Sequence, residues 1–168
     1  MIVIGIDPGT AITGWAVVEA KDKTQFFAHG YDCVRTASSL PLPERLSIIY
    51  NSLKKIIQLH HPQALALEEL FFANYGRGNF SVSQARGVIM LAAAENGIPV
   101  FEYNPKTVKI SLTGYGQADK SQVQLMVKQL LSLKEIPQPD DVADALAIAV
   151  CHLQDYRWRI PNDCLPAR

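Results

Sequence analysis

The residues whose chemistry needs explaining are acids set inside stretches that otherwise read as buried. Met1-Ile2-Val3-Ile4-Gly5-Ile6 is apolar and ends in Asp7, and Ala64-Leu65-Ala66-Leu67 ends in Glu68 and Glu69. The segment from Asp141 to Val150 is apolar throughout except for Asp141 and Asp144. A carboxylate taken out of water without a partner costs on the order of several kcal/mol. No lysine or arginine adjoins any of these acids in sequence, so a bound divalent metal is the economical counter-charge. Three or four converging carboxylates suit Mg²⁺ or Mn²⁺, hard ions that take oxygen ligands. Two such ions about 4 Å apart can activate water and stabilise the leaving oxygen in phosphodiester hydrolysis.

Two periodicities have to position these acids. In a strand over residues 2–6, alternation puts Val3, Gly5 and Asp7 on one face, and in a strand over 64–68 it puts Ala64, Ala66 and Glu68 on one face. Each acid closes a face of small residues, which leaves room for an ion and a substrate. In a helix over 141–153, Asp141 and Asp144 are three apart and share a face that continues through Ala145, Ile148 and His152. That stripe is mostly apolar, so it packs on something, and its carboxylates should meet the sheet. Two doublets stay open on these grounds: Glu69 adjoins Glu68, and Asp140 is as compatible with the face of Asp144 as Asp141 is. Each acid also has a plainer reading. Asp7 before Pro8-Gly9 can start a turn, Glu68 or Glu69 can be a surface acid at a strand end, and Asp140 or Asp141 can cap the helix. Asp144 is hardest to dismiss in this way, because it interrupts an apolar run with nothing local to pair.

The other elements follow from pattern. Strands are expected over 2–6, 14–19 and 25–35 as an antiparallel meander. A helix follows from Pro41 and Pro43 to His60, where Leu46, Ile49, Leu53, Ile56 and Ile57 keep helical spacing. After the strand at 64–68 comes a Gly- and aromatic-rich loop over 71–80, then a helix over 81–95 closed by Asn96-Gly97. A fifth strand over 99–103 and helices near 105–112, 120–131 and 141–153 complete an α/β order. A chain of 168 residues with 48% apolar content reads as one domain over 1–158 and a loose tail over 159–168. Net charge is zero, but seven bases stand against three acids between Phe71 and Lys134, a modest bias that suits a polyanion or a solvated surface. Three scattered cysteines match no disulfide or metal pattern, and no run approaches a membrane span of about 20 residues. The expectation is a soluble, cytoplasmic protein.

Taken together, the motifs resemble the RuvC-type Holliday junction resolvases, that is, crossover junction endodeoxyribonucleases. The residues that carry the likeness are Gly-Ile-Asp-Pro-Gly-Thr at 5–10 with Thr13-Gly14, Leu-Glu-Glu-Leu-Phe-Phe at 67–72 and Gln-Ala-Arg-Gly at 84–87. Phe-Glu-Tyr at 101–103, Asp-Lys-Ser-Gln-Val at 119–123 and Ala-Asp-Ala-Leu-Ala at 143–147 complete the set. They fall in order over roughly residues 2–152. A Gly-x-Asp-x-Gly turn alone is shared with sugar kinases and chaperone ATPases, but those need a second domain that 168 residues cannot hold.

The resemblance implies a ribonuclease H-like fold, with a five-stranded mixed sheet whose three N-terminal strands are antiparallel, flanked by helices. It implies a dimeric, Mg²⁺-dependent endonuclease that nicks two opposing strands of a four-way DNA junction, leaving 5′-phosphate and 3′-hydroxyl ends. The family's four acidic positions fall on Asp7, Glu68, Asp141 and Asp144, as catalytic residues and ligands of two Mg²⁺ ions for which Mn²⁺ substitutes. Asp140 is then left as a cap. Phe71 matches an aromatic placed at the junction crossover, and Arg77, in the same loop, would meet phosphate. Lys109 and Lys120 match basic positions near the scissile phosphate, where they would stabilise developing charge. The excess apolar surface of the helix over 81–95 suits a homodimer, and a branch-migration helicase complex is the expected partner. The non-enzymatic alternative is a junction-binding module whose acids no longer hold metal.

Overall fold

The computed structural model describes residues 1–22, 25–69 and 77–159. Its strands are β1 (Ile2–Asp7), β2 (Ile12–Ala20), β3 (Phe26–Arg35), β4 (Ala64–Glu68) and β5 (Val100–Tyr103). Its helices are α1 (Leu42–His60), α2 (Arg77–Glu95), α3 (Pro105–Thr113), α4 (Lys120–Leu130) and α5 (Asp140–Arg159). They form one sheet in the order β3-β2-β1-β4-β5. The meander β1-β2-β3 is antiparallel, with an irregularity between Val17 and Val18. β4 and β5 add in parallel, each reached by a helical crossover, as parallel pairing requires. This is the mixed sheet that the resemblance implies, with the antiparallel meander expected from the pattern of the chain.

Strands β1, β2 and β4 are largely buried on both faces of the sheet, while the edge strand β3 is largely exposed. On one side Ile4, Ile6, Leu65 and Leu67 meet Ile49, Leu53 and Ile57 of α1 and Ala85, Ile89 and Ala92 of α2. On the other, Val3, Ala64 and Ala66 meet Ala145, Ile148 and Ala149 of α5, with α3 and α4 packed outside them. Local chemistry sets several helix ends. Asn104 caps α3 by accepting from Lys106 N at 2.9 Å, and Gly114, with φ 74°, ends it in the left-handed region. Asp119 and Gln122 form a reciprocal capping box that starts α4. The last residue before α4 is thus fixed, and with it Lys120.

Two boundaries differ from the sequence reading. α2 starts at Arg77 rather than Ser81, so Arg77 and Phe80 are helical rather than part of a loop. Gly78 and Asn79 are poor helix formers, but they occupy a first turn whose N–H groups have no intrahelical partner in any case. α5 continues to Arg159 rather than stopping near Leu153. Residues 160–168, most of the expected tail, lie outside the described residues. No helix among the described residues is long and apolar enough to cross a membrane.

Candidate active site

The sheet register brings two acids to one end. Ile6 pairs with Leu67, so Asp7 and Glu68 emerge from neighbouring parallel strands at the same level and on the same face. α5 crosses that face in direct backbone contact. A Cβ on Gly14, the register partner of Asp7, would stand 2.0 Å from the Asp141 carbonyl oxygen. A Cβ on Gly5 would stand 2.2 Å from the Ala145 carbonyl oxygen and 2.8 Å from the Ala149 Cβ. With glycine at both positions, α5 lies low enough for Asp141 and Asp144 to reach Asp7 and Glu68.

The electrostatics record this convergence. Burial pushes the Asp7 carboxyl up to about 7, and the charges of Glu68, Asp144 and Asp141 add to it, partly offset by Lys120. Burial likewise raises Glu68, helped by Asp144 and opposed by Arg86 and Lys120. Asp144 is raised by burial against the opposing hydrogen bond and charge of Lys120. The Lys120 ammonium stands 3.1 Å from Asp144 Oδ2 and 3.2 Å from Asp140 Oδ2. Partial burial works against its charge, but these two acids win, and its pKa lies above the ordinary lysine value.

Asp140, expected as a cap, is instead held by Lys120 and by Gln124 Nε2, which donates to it at 3.0 Å. Those hydrogen bonds lower its pKa. Its charge acts on Asp144, while the charge of Asp141 acts on both Asp144 and Asp7, and the Asp141 backbone and Cβ lie against Gly14, the register partner of Asp7. Of the other doublet, Glu68 turns toward the cluster. Glu69 is exposed and donates its backbone N–H to the Tyr103 carbonyl at 2.8 Å.

A cleft of about 230 Å³ opens over these groups, lined by Glu68, Asp144, Lys109, Lys120 and Pro105 over an apolar floor that includes Val108 and Ile148. Glu68 and Asp144 are thus joined there by both predicted lysines. Its walls are pinned from behind. The Tyr103 hydroxyl lies 2.8 Å from His152 Nδ1, tying β5, whose Tyr103 pairs with Glu68, to α5. The turn after Asp7 is braced by Thr13, which donates to the Gly9 carbonyl at 2.6 Å, and by Thr36, which donates to the Thr10 carbonyl and accepts from Arg45.

The donor set fits a hard divalent cation. Burial and neighbouring charge raise the carboxyls of Asp7, Glu68 and Asp144, and the Lys120 ammonium forms an ion pair with Asp144 at 3.1 Å. Asp7, Glu68, Asp141 and Asp144 are the residues that would hold the ion. Among the described residues no three such side chains stand close enough to clasp an ion as they are. An ion bound there would offset the mutual repulsion of these carboxylates.

Of the predicted DNA contacts, Lys109 and Lys120 are therefore placed at the cleft. Phe71 lies outside the described residues. Arg77 is the first residue of α2, and its side chain is likewise outside them. Sequence reasoning missed two roles. Lys120 is the immediate partner of Asp144, and Arg86 reaches the back of Glu68, where its Nη1 donates to the main-chain carbonyl. An arginine surrounded by Ala85, Val88 and Ile89 on a largely apolar helix was the available signal for the second.

The family model for crossover junction endodeoxyribonuclease RuvC matches residues 3–152. A crossover junction endodeoxyribonuclease RuvC of Endomicrobium trichonymphae is 50% identical over 163 residues, covering 97% of this chain and 86% of that protein. One from Desulforamulus reducens is 53% identical over 154 residues, covering 92% and 94%. Among solved structures, Thermus thermophilus RuvC in complex with a Holliday junction substrate superposes with a TM-score of 0.90 at 39% identity, over 94% of this chain and 96% of that one. With that match spanning both the sheet and the acidic cluster, the chain belongs to the crossover junction endodeoxyribonuclease RuvC family.

Proposed function

We propose that this chain resolves four-way DNA junctions by hydrolysing one phosphodiester in each of two opposing strands. Asp7, Glu68, Asp141 and Asp144 are the oxygen donors for two Mg²⁺ ions per subunit, and Mn²⁺ replaces them. The observation that carries the reading is the convergence of acids from β1, β4 and α5, two of which, Glu68 and Asp144, line one cleft with Lys109 and Lys120. When bound, the ions polarise the phosphate and lower the pKa of water. The chain's own residues do the rest. Lys109 and Lys120 bind the phosphate and balance charge that develops on its oxygens, and the apolar floor limits water around the scissile bond. The products carry 5′-phosphate and 3′-hydroxyl ends.

Two opposing strands call for two sites related by a two-fold axis. The outer surface of α2 exposes Phe80, Met90 and Leu91, which supports a homodimer built there. Phe71 and Arg77 are the proposed contacts at the crossover. The nuclease domain spans residues 1–158, and the protein works in the cytoplasm alongside a branch-migration helicase complex.

The test is cleavage of a labelled mobile four-way junction against a duplex of matching sequence, in Mg²⁺ and in EDTA. Paired, metal-dependent nicks in the junction alone are expected. Tight junction binding with no cutting in either Mg²⁺ or Mn²⁺ would reduce the chain to a binding module.

Lys120→Met separates chemistry from binding. It strips Asp144 and Asp140 of their shared cation and removes one phosphate contact. Single-turnover cleavage is expected to fall roughly 10²-fold. Junction affinity should change far less, with the slope of log K against log salt reduced by about one. Equal losses in binding and cleavage would make Lys120 a binding residue only.

A further inference from the structure

We propose that Arg86 is a positioning residue for Glu68, holding the end of β4 at the height at which its carboxylate ligates metal. The inference rests on the reading of Glu68 as a metal donor.

Arg86 is 7% exposed, which is rare for an arginine and calls for full pairing. Its guanidinium spans two strands. Nη1 donates to the main-chain carbonyl of Glu68, and Nη2 lies 2.8 Å from Glu102 Oε1. Glu102 is the register partner of Leu67 on β5. The Glu68 carbonyl needs this donor. Leu65 N bonds to the carbonyl of Pro99, just before β5, and Glu69 N to that of Tyr103 in β5, so even-numbered residues of β4 turn their backbone groups toward β1, whose pairing stops at Leu67. Glu68 is therefore one residue past the end of that ladder. Arg86 supplies the missing bond from α2, on the opposite face of the sheet from the cleft.

The planar fork suits this double task, because one rigid group fixes the spacing of two strand ends. Lysine keeps the charge but presents a single ammonium, which cannot satisfy both partners in the same geometry. Partners outside the ligand shell that orient a metal-binding carboxylate are worth roughly 10–100-fold in metal affinity.

The experiment follows the thermal stabilisation of the DNA-free protein by Mn²⁺, alongside junction affinity in Ca²⁺. Arg86→Lys is expected to raise the half-saturating Mn²⁺ concentration roughly tenfold or more while leaving junction affinity within about twofold. Glu102→Gln, at a solvent-reachable partner, is expected to raise it in the same direction by less, since the bond to the Glu68 carbonyl survives. The same displacement should appear in the Mn²⁺ dependence of cleavage. If both variants melt lower without metal yet keep the wild-type half-saturation, Arg86 is only a packing residue and the proposal falls. Should Arg86→Lys fail to fold, Glu102→Gln decides by the same criterion. A wild-type protein that Mn²⁺ does not stabilise would remove Glu68 as a metal donor and take this proposal with it. A metal-responsive wild type with unaffected variants overturns the Arg86 assignment alone.

Discussion

Asp7→Asn ends cleavage and at the same time stabilises the metal-free protein near neutral pH. The loss of cleavage is roughly 10³-fold or more, about 4 kcal/mol of transition-state stabilisation, because the amide is a weaker oxygen donor to a divalent ion. The gain in stability comes from the pKa. Burial and three neighbouring carboxylates move Asp7 from its ordinary 3.8 up to about 7 in the folded protein. Between those values the folded state holds a proton that the unfolded chain has released, so stability falls as pH rises from 4 through 7. Above that the whole penalty applies, with a ceiling of about 4 kcal/mol at about 1.4 kcal/mol per unit. The amide avoids the charge but still gives up its hydration, so the expected gain is on the order of 1–3 kcal/mol at pH 8, shrinking toward zero at pH 4. Denaturant melts of both proteins in EDTA at the two pH values read it. Adding Mg²⁺ reverses the order, since ligand binding stabilises the folded wild type by mass action and the variant little. A variant that cut normally, or one destabilised at pH 8, would take Asp7 out of the cluster. Asp144→Asn should match the loss of cleavage, with junction binding largely kept in both.

Much of this site was legible because strand alternation is strict. Once residues 2–6 and 64–68 read as strands, Asp7 and Glu68 had to close faces of small residues, and parallel pairing of the two strands put those faces side by side. The helix stripe of Asp141, Asp144, Ala145 and Ile148 read as a packed face, and Ala145 is fully buried over Gly5. The parts that escaped depend on distance in space between groups far apart in sequence. Inspection of chain neighbours left the acids without a cation, yet Lys120 sits at the start of α4, which packs beside α5, and pairs with Asp144. That contact takes Asp140 as well, which is why an acid at a helix start does not act as a plain cap. Helical spacing could not choose between Asp140 and Asp141, because both lie within reach of the face of Asp144. The crossing of α5 over Gly14 sets Asp141 against the register partner of Asp7, a contact that spacing along the chain does not reveal.

That crossing carries the second large effect. Gly14→Ala should cost activity out of proportion to stability, although Gly14 is not an acid and touches no substrate. Its new methyl would start 2.0 Å from the Asp141 carbonyl oxygen and 2.4 Å from the carbonyl carbon. Both are backbone atoms, so no side-chain rotation relieves the clash and the start of α5 has to lift. Overpacking of this kind typically costs about 1–3 kcal/mol of stability. A displacement of about 1 Å at a catalytic group can cost roughly 10²-fold in rate, and here it carries Asp141 and Asp144 away from Asp7 and Glu68 together. The expected result is a folded protein that binds junctions, cuts them roughly 10²-fold more slowly and needs more Mg²⁺ for half-maximal rate. Gly5→Ala lies one helical turn further along α5, at Ala145 and Ala149, and so lifts the helix nearer its middle. It should cost more stability, because α5 is buried there along its whole inner face. If Gly14→Ala lost only stability, with the rate and metal dependence of the remaining folded protein unchanged, the height of α5 over the sheet would not be what sets the carboxylate spacing.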